Sequence, residues 1–365
     1  MSQTEPLTVV IACGGTGGHL FPGIAVAQEL KRKGHRPILL ISMKSVDAQA
    51  SNKYEDLEFR PVEAIAMPRL ASLKTFGFVW KLVRTWRSCR RILREVKADV
   101  VLGMGGFTSL PPVRAGYGLG LRTYVHDSNA LPGKANRLTA RWCDAVLLGV
   151  QEASHYFPKS ECMVTGTPVR AELARSVNVV FAREAFGLDT IRPVVLSMGG
   201  SQGAKQLNTH VLEAARRDAS VQYLLLAGTA DYERVQKMAA DLPHVKVLPF
   251  CSDMASAYAA ADGVICRSGA SSLTELAALG KAALLVPYPF AADDHQMHNA
   301  RVYAAHGAAR VNGQETLSPE VILSFVHEIV LNREAREEME SAARALSSDD
   351  AAQKIAHVLE HSTLS

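Results

Sequence analysis

The chain has 365 residues, 48% apolar and 21% charged, with 40 Lys and Arg against 36 Asp and Glu for a net charge of +4. This length suggests two domains, because single cores rarely grow past roughly 250–300 residues, and the apolar content excludes intrinsic disorder as the main description. No stretch approaches the roughly 18 uncharged apolar residues of a transmembrane helix; the best, residues 282–292, is broken by Pro287 and Pro289.

The first residues, MSQTE, hold no basic segment ahead of the apolar run, so no signal peptide is expected. Residues 7–13 (LTVVIAC) are continuously apolar and β-branched, which predicts a buried parallel strand. It runs into Gly14-Gly15-Thr16-Gly17-Gly18-His19, after which residues 24–33 show helical spacing that stops at Gly34. Further strands are expected at 37–42, 100–103, 123–126 and 145–149, with helix-length segments between them. Residues 170–189 are polar without strand character and read as a linker. The pattern then restarts: 193–198 (PVVLSM) leads into Gly199-Gly200-Ser201-Gln202-Gly203 and a helix through Arg217. Strands are expected again at 222–227, 245–250, 263–266 and 282–287, and from Ser318 the chain is helical and rich in Ala, Glu and Arg. The alternation predicts an α/β chain of two Rossmann-like doubly wound domains facing across a cleft, with ligands at the carboxyl ends of the strands. The six cysteines (13, 89, 143, 162, 251, 266) include no Cys-x-x-Cys pair, which fits reduced thiols in a cytoplasm.

The first glycine turn is not a dinucleotide fingerprint. Leu20 stands where Gly or Ala would follow Gly17, and no acidic residue closes the second strand. Nicotinamide and flavin chemistry is therefore disfavoured, and no Walker A sequence exists either. What remains is exposed backbone at a helix N-terminus, suited to an anion or a sugar; Gly103-Met104-Gly105-Gly106 and residues 199–203 are two more such loops. His19 ends the first loop; histidine as a residue type suits a general base at neutral pH, and the alternative is a structural histidine. Cys266-Arg267-Ser268-Gly269-Ala270 reads as strand, turn and helix start, with Glu275 shortly after. That carboxylate either takes ribose hydroxyls or complements the helix dipole. Asp293-Asp294-His295-Gln296-Met297-His298-Asn299 holds two carboxylates and two histidines, but no matching ligand cluster or Asp-x-Asp exists elsewhere. No metal site is expected, and Gln296 and Asn299 suit sugar hydroxyls.

Charge is concentrated in residues 68–97, with nine cations and one anion. Helical spacing puts Lys81, Arg84, Arg87, Arg91 and Arg94 on one face and Leu82, Trp86, Cys89, Leu93 and Val96 on the other. Leu70, Phe76, Phe78 and Trp80 lie beside the cations. The face is either simply solvated or rests on anionic lipid, apolar side chains dipping in and cations meeting headgroups. Nucleic acid is not an expected partner, since no binding module accompanies the patch.

Several segments together resemble the MurG family of peptidoglycan N-acetylglucosaminyltransferases, within glycosyltransferase family 28. They are residues 14–23, Gly103-Met104-Gly105-Gly106-Phe107, His126-Asp127-Ser128-Asn129, Gly166-Thr167-Pro168-Val169-Arg170, residues 199–204, Asp253-Met254, residues 266–270, Glu275 and His295-Gln296 with Asn299. The resemblance implies a GT-B fold and inverting transfer of GlcNAc from UDP-GlcNAc to the 4-hydroxyl of MurNAc in undecaprenyl-pyrophosphoryl-MurNAc-pentapeptide (lipid I), giving lipid II. It implies an N-terminal acceptor and membrane-facing domain at 1–168 and a UDP-GlcNAc-binding domain at 169–345. A closing helix at 346–365 is expected to pack back on the first domain. His19 becomes the catalytic base. Thr16, Gly17, Gly18, Asn129, Arg170, Ser201, Cys251, Ala270, Glu275 and Gln296 become UDP-GlcNAc contacts, with Glu275 on the ribose and Arg170 near the pyrophosphate. Gly14, Gly15, Gly105 and Gly106 form the acceptor and pyrophosphate loops. Leu70, Phe76, Phe78, Trp80, Lys81, Arg84 and Arg87 form the membrane patch. No tightly bound cofactor is implied, a divalent cation being at most a stimulant. Implied partners are UDP-GlcNAc, lipid I, an anionic membrane surface and other cell-wall synthesis proteins, and the implied place is the cytoplasmic face of the inner membrane. His126-Asp127-Ser128-Asn129 stands where the family usually has His-Glu-Gln-Asn, and Cys251 where an aliphatic residue commonly meets uracil. The alternatives are another lipid-acceptor GT-B transferase of the diacylglycerol glucosyltransferase type, a UDP-GlcNAc 2-epimerase, and a non-enzymatic nucleotide-sugar-responsive scaffold.

Overall fold

A computed structural model describes residues 5–42, 53–63, 74–173, 175–199 and 204–361. The chain divides into two compact units, residues 1–170 with 348–365, and residues 171–347.

In the first unit β1 (Thr8–Ala12), β2 (Arg36–Ile41), β3 (Glu58–Pro61), β4 (Val100–Gly103), β5 (Arg122–Asp127), β6 (Ala145–Leu148) and β7 (Cys162–Val164) form one sheet. Its order is β3-β2-β1-β4-β5-β6-β7, and every neighbouring pair is parallel. Because side chains alternate across a strand, one sheet sorts them into two cores. Val9 and Ile11 face Leu20, Ile24 and Leu30 of α1 (Gly17–Arg32), together with Ile355 and Leu359 of the closing helix Ala351–His361. Val10 and Ala12 face Cys89, Leu93 and Val96 of α2 (Lys74–Glu95). Each fully buried aliphatic side chain contributes about 1.5–3 kcal/mol, which explains why the last helix docks here. Glu360 adds polar ties, taking Lys33 at 2.7 Å and His35 at 2.8 Å.

Strands β3 and β7 had no counterpart in the sequence reading. Both are short edge strands: β7 is only three residues, too brief to show a pattern, and β3 carries Glu58 paired to Arg36 and Arg60. Charged, half-exposed edges are a common way to stop further pairing, and they erase the pattern that reveals central strands. Helix α1 also starts seven residues earlier than its apolar spacing suggests, taking Gly17 and Gly18 into its first turn and Pro22 inside.

In the second unit β8 (Val194–Met198), β9 (Gln222–Leu226), β10 (Val245–Leu248), β11 (Gly263–Cys266), β12 (Ala283–Leu285) and β13 (Arg310–Val311) pair in the order β10-β9-β8-β11-β12-β13, all parallel. Val195, Tyr223, Leu225, Ile265 and Leu284 pack with Leu207, Val211, Phe325 and Val330. The expected linker at 170–189 is instead largely built into this unit. It contains helix Val179–Ala185, capped by Asn178, whose Oδ1 accepts from Val180 N and Phe181 N at 2.9 and 3.3 Å. Buried Arg183 fixes that helix to the sheet, donating to Asp262 at 2.6 Å and to the Ala260 carbonyl at 3.1 Å. Polar composition suggested a linker because the charges serve internal pairs rather than solvent.

Candidate active site

In each sheet the strand order reverses beside its first strand, between β1 and β4 and between β8 and β11. Register pairs Ala12 with Gly103 and Met198 with Cys266, so the loops leaving these strands start level with each other. Such a reversal, at the carboxyl ends of the strands, is where doubly wound sheets bind ligands.

In the first unit this brings together Gly14, Gly15, Thr16, Gly17, Gly18, His19, Gly105 and Gly106. Thr16 occupies the N-cap of α1 with extended backbone and makes no side-chain cap. Its Oγ1 lies 3.2 Å from His19 Nδ1. The His19 ring packs on the second loop: a Cβ at Gly105 would lie 2.9 Å from His19 Nε2, and one at Gly106 would lie 3.0 Å from Cε1. Both glycines also have positive φ, at 119° and 72°, so glycine is required for conformation and for space.

Beneath this loop lies a polar frame that the motifs did not reveal. Asn136 Oδ1 accepts from Gly106 N at 3.1 Å, and its Nδ2 donates to Asp127 Oδ2 at 2.8 Å. Asp127 is buried and also takes Asn129 N at 2.9 Å, Asn129 Nδ2 at 3.1 Å and Gly133 N at 3.1 Å. Burial pushes its carboxyl above the ordinary range, while these donors act against that rise. His126, wholly buried, meets the Gly166 carbonyl at 2.9 Å through Nε2, and burial lowers its pKa to about 4. It is therefore neutral at pH 7. Ser109 Oγ donates to the Gly105 carbonyl at 2.8 Å, and Thr108 Oγ1 to the Gly14 carbonyl at 2.8 Å, stitching the two loops together. The only sequence hint was a His-Asp-Ser-Asn run ending a strand; nothing in the spacing tied it to Asn136 or the glycine loop. Arg170, the last residue of this unit, is buried with its guanidinium 4.1 Å over the Phe21 ring.

In the second unit, Arg267-Ser268-Gly269 carries β11 into helix Ala270–Leu279, whose N-cap Gly269 offers no side-chain acceptor. Ala270 is the first residue of that helix and Glu275 its sixth. Glu275 accepts from the Tyr258 hydroxyl at 2.9 Å. Buried Ser268 donates to the Gln296 carbonyl at 2.8 Å, and buried Asn299 donates to the Ser268 carbonyl at 3.2 Å. Asn299 thus braces the loop, where the sequence suggested a sugar contact. Gln296 Oε1 accepts from Tyr288 N at 2.9 Å, fixing its amide beside a turn in which Asp293 and Asp294 both have positive φ. Buried Cys251 lies just before helix Met254–Ala260, its thiol 3.3 Å from the Asp253 carbonyl. Ser201 and residues 200–203 lie outside the described residues, as do Leu70 and the side chains of Phe76 and Phe78.

The cationic face expected from the sequence is present on α2. Lys81, Arg84, Arg87, Arg91 and Arg94 are exposed, whereas Cys89, Leu93 and Val96 are buried. Trp80 is 63% exposed with the Arg84 guanidinium 5.4 Å over its ring. Among the described residues no helix is long and apolar enough to cross a membrane.

Two doubly wound parallel units, each with small-residue loops at its switch point, define the GT-B class of nucleotide-sugar enzymes. The model of the glycosyltransferase family 28 N-terminal domain matches residues 9–148, and that of the family 28 C-terminal domain matches residues 194–355. The chain belongs to glycosyltransferase family 28. It is 35% identical over 363 residues, 96% of this chain and 98% of the other, to a UDP-N-acetylglucosamine–N-acetylmuramyl-(pentapeptide) pyrophosphoryl-undecaprenol N-acetylglucosamine transferase of Citrifermentans bemidjiense. The like-named protein of Acetivibrio thermocellus is 32% identical over 362 residues, 97% of this chain and 98% of its own. The crystal structure of Acinetobacter baumannii MurG superposes with a TM-score of 0.77 at 30% identity, covering 98% of this chain and all 100% of that one. The UDP-GlcNAc 2-epimerase of Neisseria meningitidis, at 15% identity and a TM-score of 0.67 over 97% of this chain and 99% of its own, shares the fold alone.

Proposed function

We infer that the chain is an inverting N-acetylglucosaminyltransferase that moves GlcNAc from UDP-GlcNAc to the 4-hydroxyl of MurNAc in lipid I, giving lipid II for peptidoglycan synthesis. The observation that carries this reading is likeness over nearly the whole chain to proteins bearing that transferase's name. The loop geometry supports a chemical route. With Nδ1–H donating to Thr16 Oγ1, His19 Nε2 holds the lone pair and takes the proton of the acceptor hydroxyl. The hydroxyl oxygen bonds to the anomeric carbon as the bond from that carbon to the diphosphate oxygen breaks, so configuration inverts and UDP departs with both electrons. Glu275 holds the ribose, Cys251 borders uracil, and Gln296 and Asn129 read the sugar. The N-terminus of helix Ala270–Leu279, with Arg170, balances diphosphate charge. A divalent cation then acts only as a stimulant.

The exposed cationic face of α2 with Trp80 supports peripheral binding to the cytoplasmic face of an anionic membrane, where a lipid-held acceptor is reached. Purified protein given UDP-GlcNAc, UDP-glucose or UDP-galactose with either a lipid I analogue or diacylglycerol tests the function. Turnover is expected with UDP-GlcNAc and the lipid I analogue. Turnover with diacylglycerol alone, or epimerisation of UDP-GlcNAc without any acceptor, would overturn it.

A further inference from the structure

We propose that Tyr258 is a positioning residue for nucleotide recognition: its hydroxyl holds the Glu275 carboxylate in the orientation that receives the ribose diol. The inference rests on the reading of Glu275 as the ribose contact. Glu275 is half-buried on helix Ala270–Leu279, and a Glu side chain loses considerable rotamer freedom when it is fixed. Tyr258 comes from a different element, helix Met254–Ala260, and the residue is 1% exposed. It has only two side-chain torsions, both locked by packing, and its O–H reaches Glu275 Oε2 at 2.9 Å.

A phenol donating to a carboxylate is a charge-assisted bond, stronger than a neutral pair. A carboxylate has about four lone-pair sites, so one donated phenol proton is compatible with two ribose hydroxyls on the same group. The brace fixes the plane of the carboxylate before nucleotide arrives, so less order is lost on binding. The supporting helix is itself held. Asp253 caps it by accepting from Ser256 N at 3.2 Å, and Arg175 grips Asp253 at 2.7 Å. Cys251, the candidate uracil contact, lies just upstream on the same segment. The short stretch 251–258 thus carries the candidate base contact and the brace of the candidate ribose contact.

Calorimetric titration of UDP and of 2′-deoxy-UDP into the full chain tests this, using Tyr258→Phe, Glu275→Ala and the double variant, with unfolding midpoints to verify folding. Glu275→Ala should weaken UDP at least ~10-fold and abolish preference over the deoxy analogue. Tyr258→Phe should weaken UDP about 3- to 10-fold, weaken 2′-deoxy-UDP less, and add nothing in the Glu275→Ala background. In turnover it should raise KM for UDP-GlcNAc with little change in kcat. Equal weakening of both nucleotides, an effect that adds to Glu275→Ala, or wild-type affinity in Tyr258→Phe overturns the brace. Unchanged UDP affinity in Glu275→Ala instead overturns the ribose assignment, and the brace with it.

Discussion

At the scale of single residues, two histidines far apart in sequence, at positions 19 and 126, meet in one loop region. His19 packs on Gly105 and Gly106 beside Thr16 and is the base in the proposed mechanism, while His126 is sealed beneath and neutral at pH 7. His19→Ala should therefore lower kcat by ~10²–10⁴, the range for a lost general base. A fall of less than about tenfold assigns the base elsewhere. His126 makes a separate prediction about pH. Its folded pKa of about 4 lies below the ordinary 6.5, so its contribution to stability is whole above pH 6.5 and is lost as pH falls towards 4. Acidification from pH 7.5 to pH 5 should cost about 2 kcal/mol through this group, partly offset by Asp127, whose raised carboxyl favours the folded state on protonation. All three tryptophans, at 80, 86 and 142, lie in the first unit, so their fluorescence during urea unfolding reports on it alone. In His126→Gln, whose amide still donates to the Gly166 carbonyl, that loss should disappear. An identical pH dependence in both proteins would refute it.

At the scale of elements, α1 can carry His19 to the second loop only because it lies close against β1. Gly23 makes that approach possible, since a Cβ there would sit 2.6 Å from Cys13 Cβ and 3.3 Å from Met104 Cγ. In an exposed helix, Gly→Ala adds about 1 kcal/mol of stability. Here overpacking of about 1–3 kcal/mol should win, so Gly23→Ala is expected to lower the urea midpoint and kcat together as the helix is pushed off the strand. A raised midpoint would show that the helix has room to move. Helix starts were the least readable elements in the sequence. Apolar spacing locates a buried face, but α1 begins where the backbone turns and residues 17–19 have no apolar face to show. The short helix after Asn178 was missed for a related reason: its first residues, Val179, Val180 and Phe181, are exposed, and what fixes it is the bond from buried Arg183 to half-buried Asp262.

At the scale of the whole molecule, a net charge of +4 conceals its distribution. On α2 the cations Arg84, Arg87, Arg91 and Arg94 join no ion pair among the described residues and stand at the surface, Arg84 over the exposed Trp80 ring. Cations near an anionic surface contribute about 1 kcal/mol each. Reversing two of them, Arg84→Glu with Arg87→Glu, should weaken sedimentation with phosphatidylglycerol vesicles at least ~10-fold, and salt at 0.5 M should do the same to the unaltered protein. Undiminished vesicle binding would leave the face as simply solvated.

Sequence by itself determined the doubly wound α/β class, the central strands of both units, the glycine loops at their ends and the family, because buried parallel strands and ligand-type turns are written in contiguous residues. Only the tertiary structure decided that Asp127 and Asn136 hold the Gly106 loop, that Asn299 braces Ser268 instead of reaching outward, and that Tyr258 grips Glu275. These pairings join residues from separate elements through single hydrogen bonds or scattered apolar contacts. A linear pattern records which face of an element is buried, but the partner it meets is set by how the sheet brings strand ends and helices together.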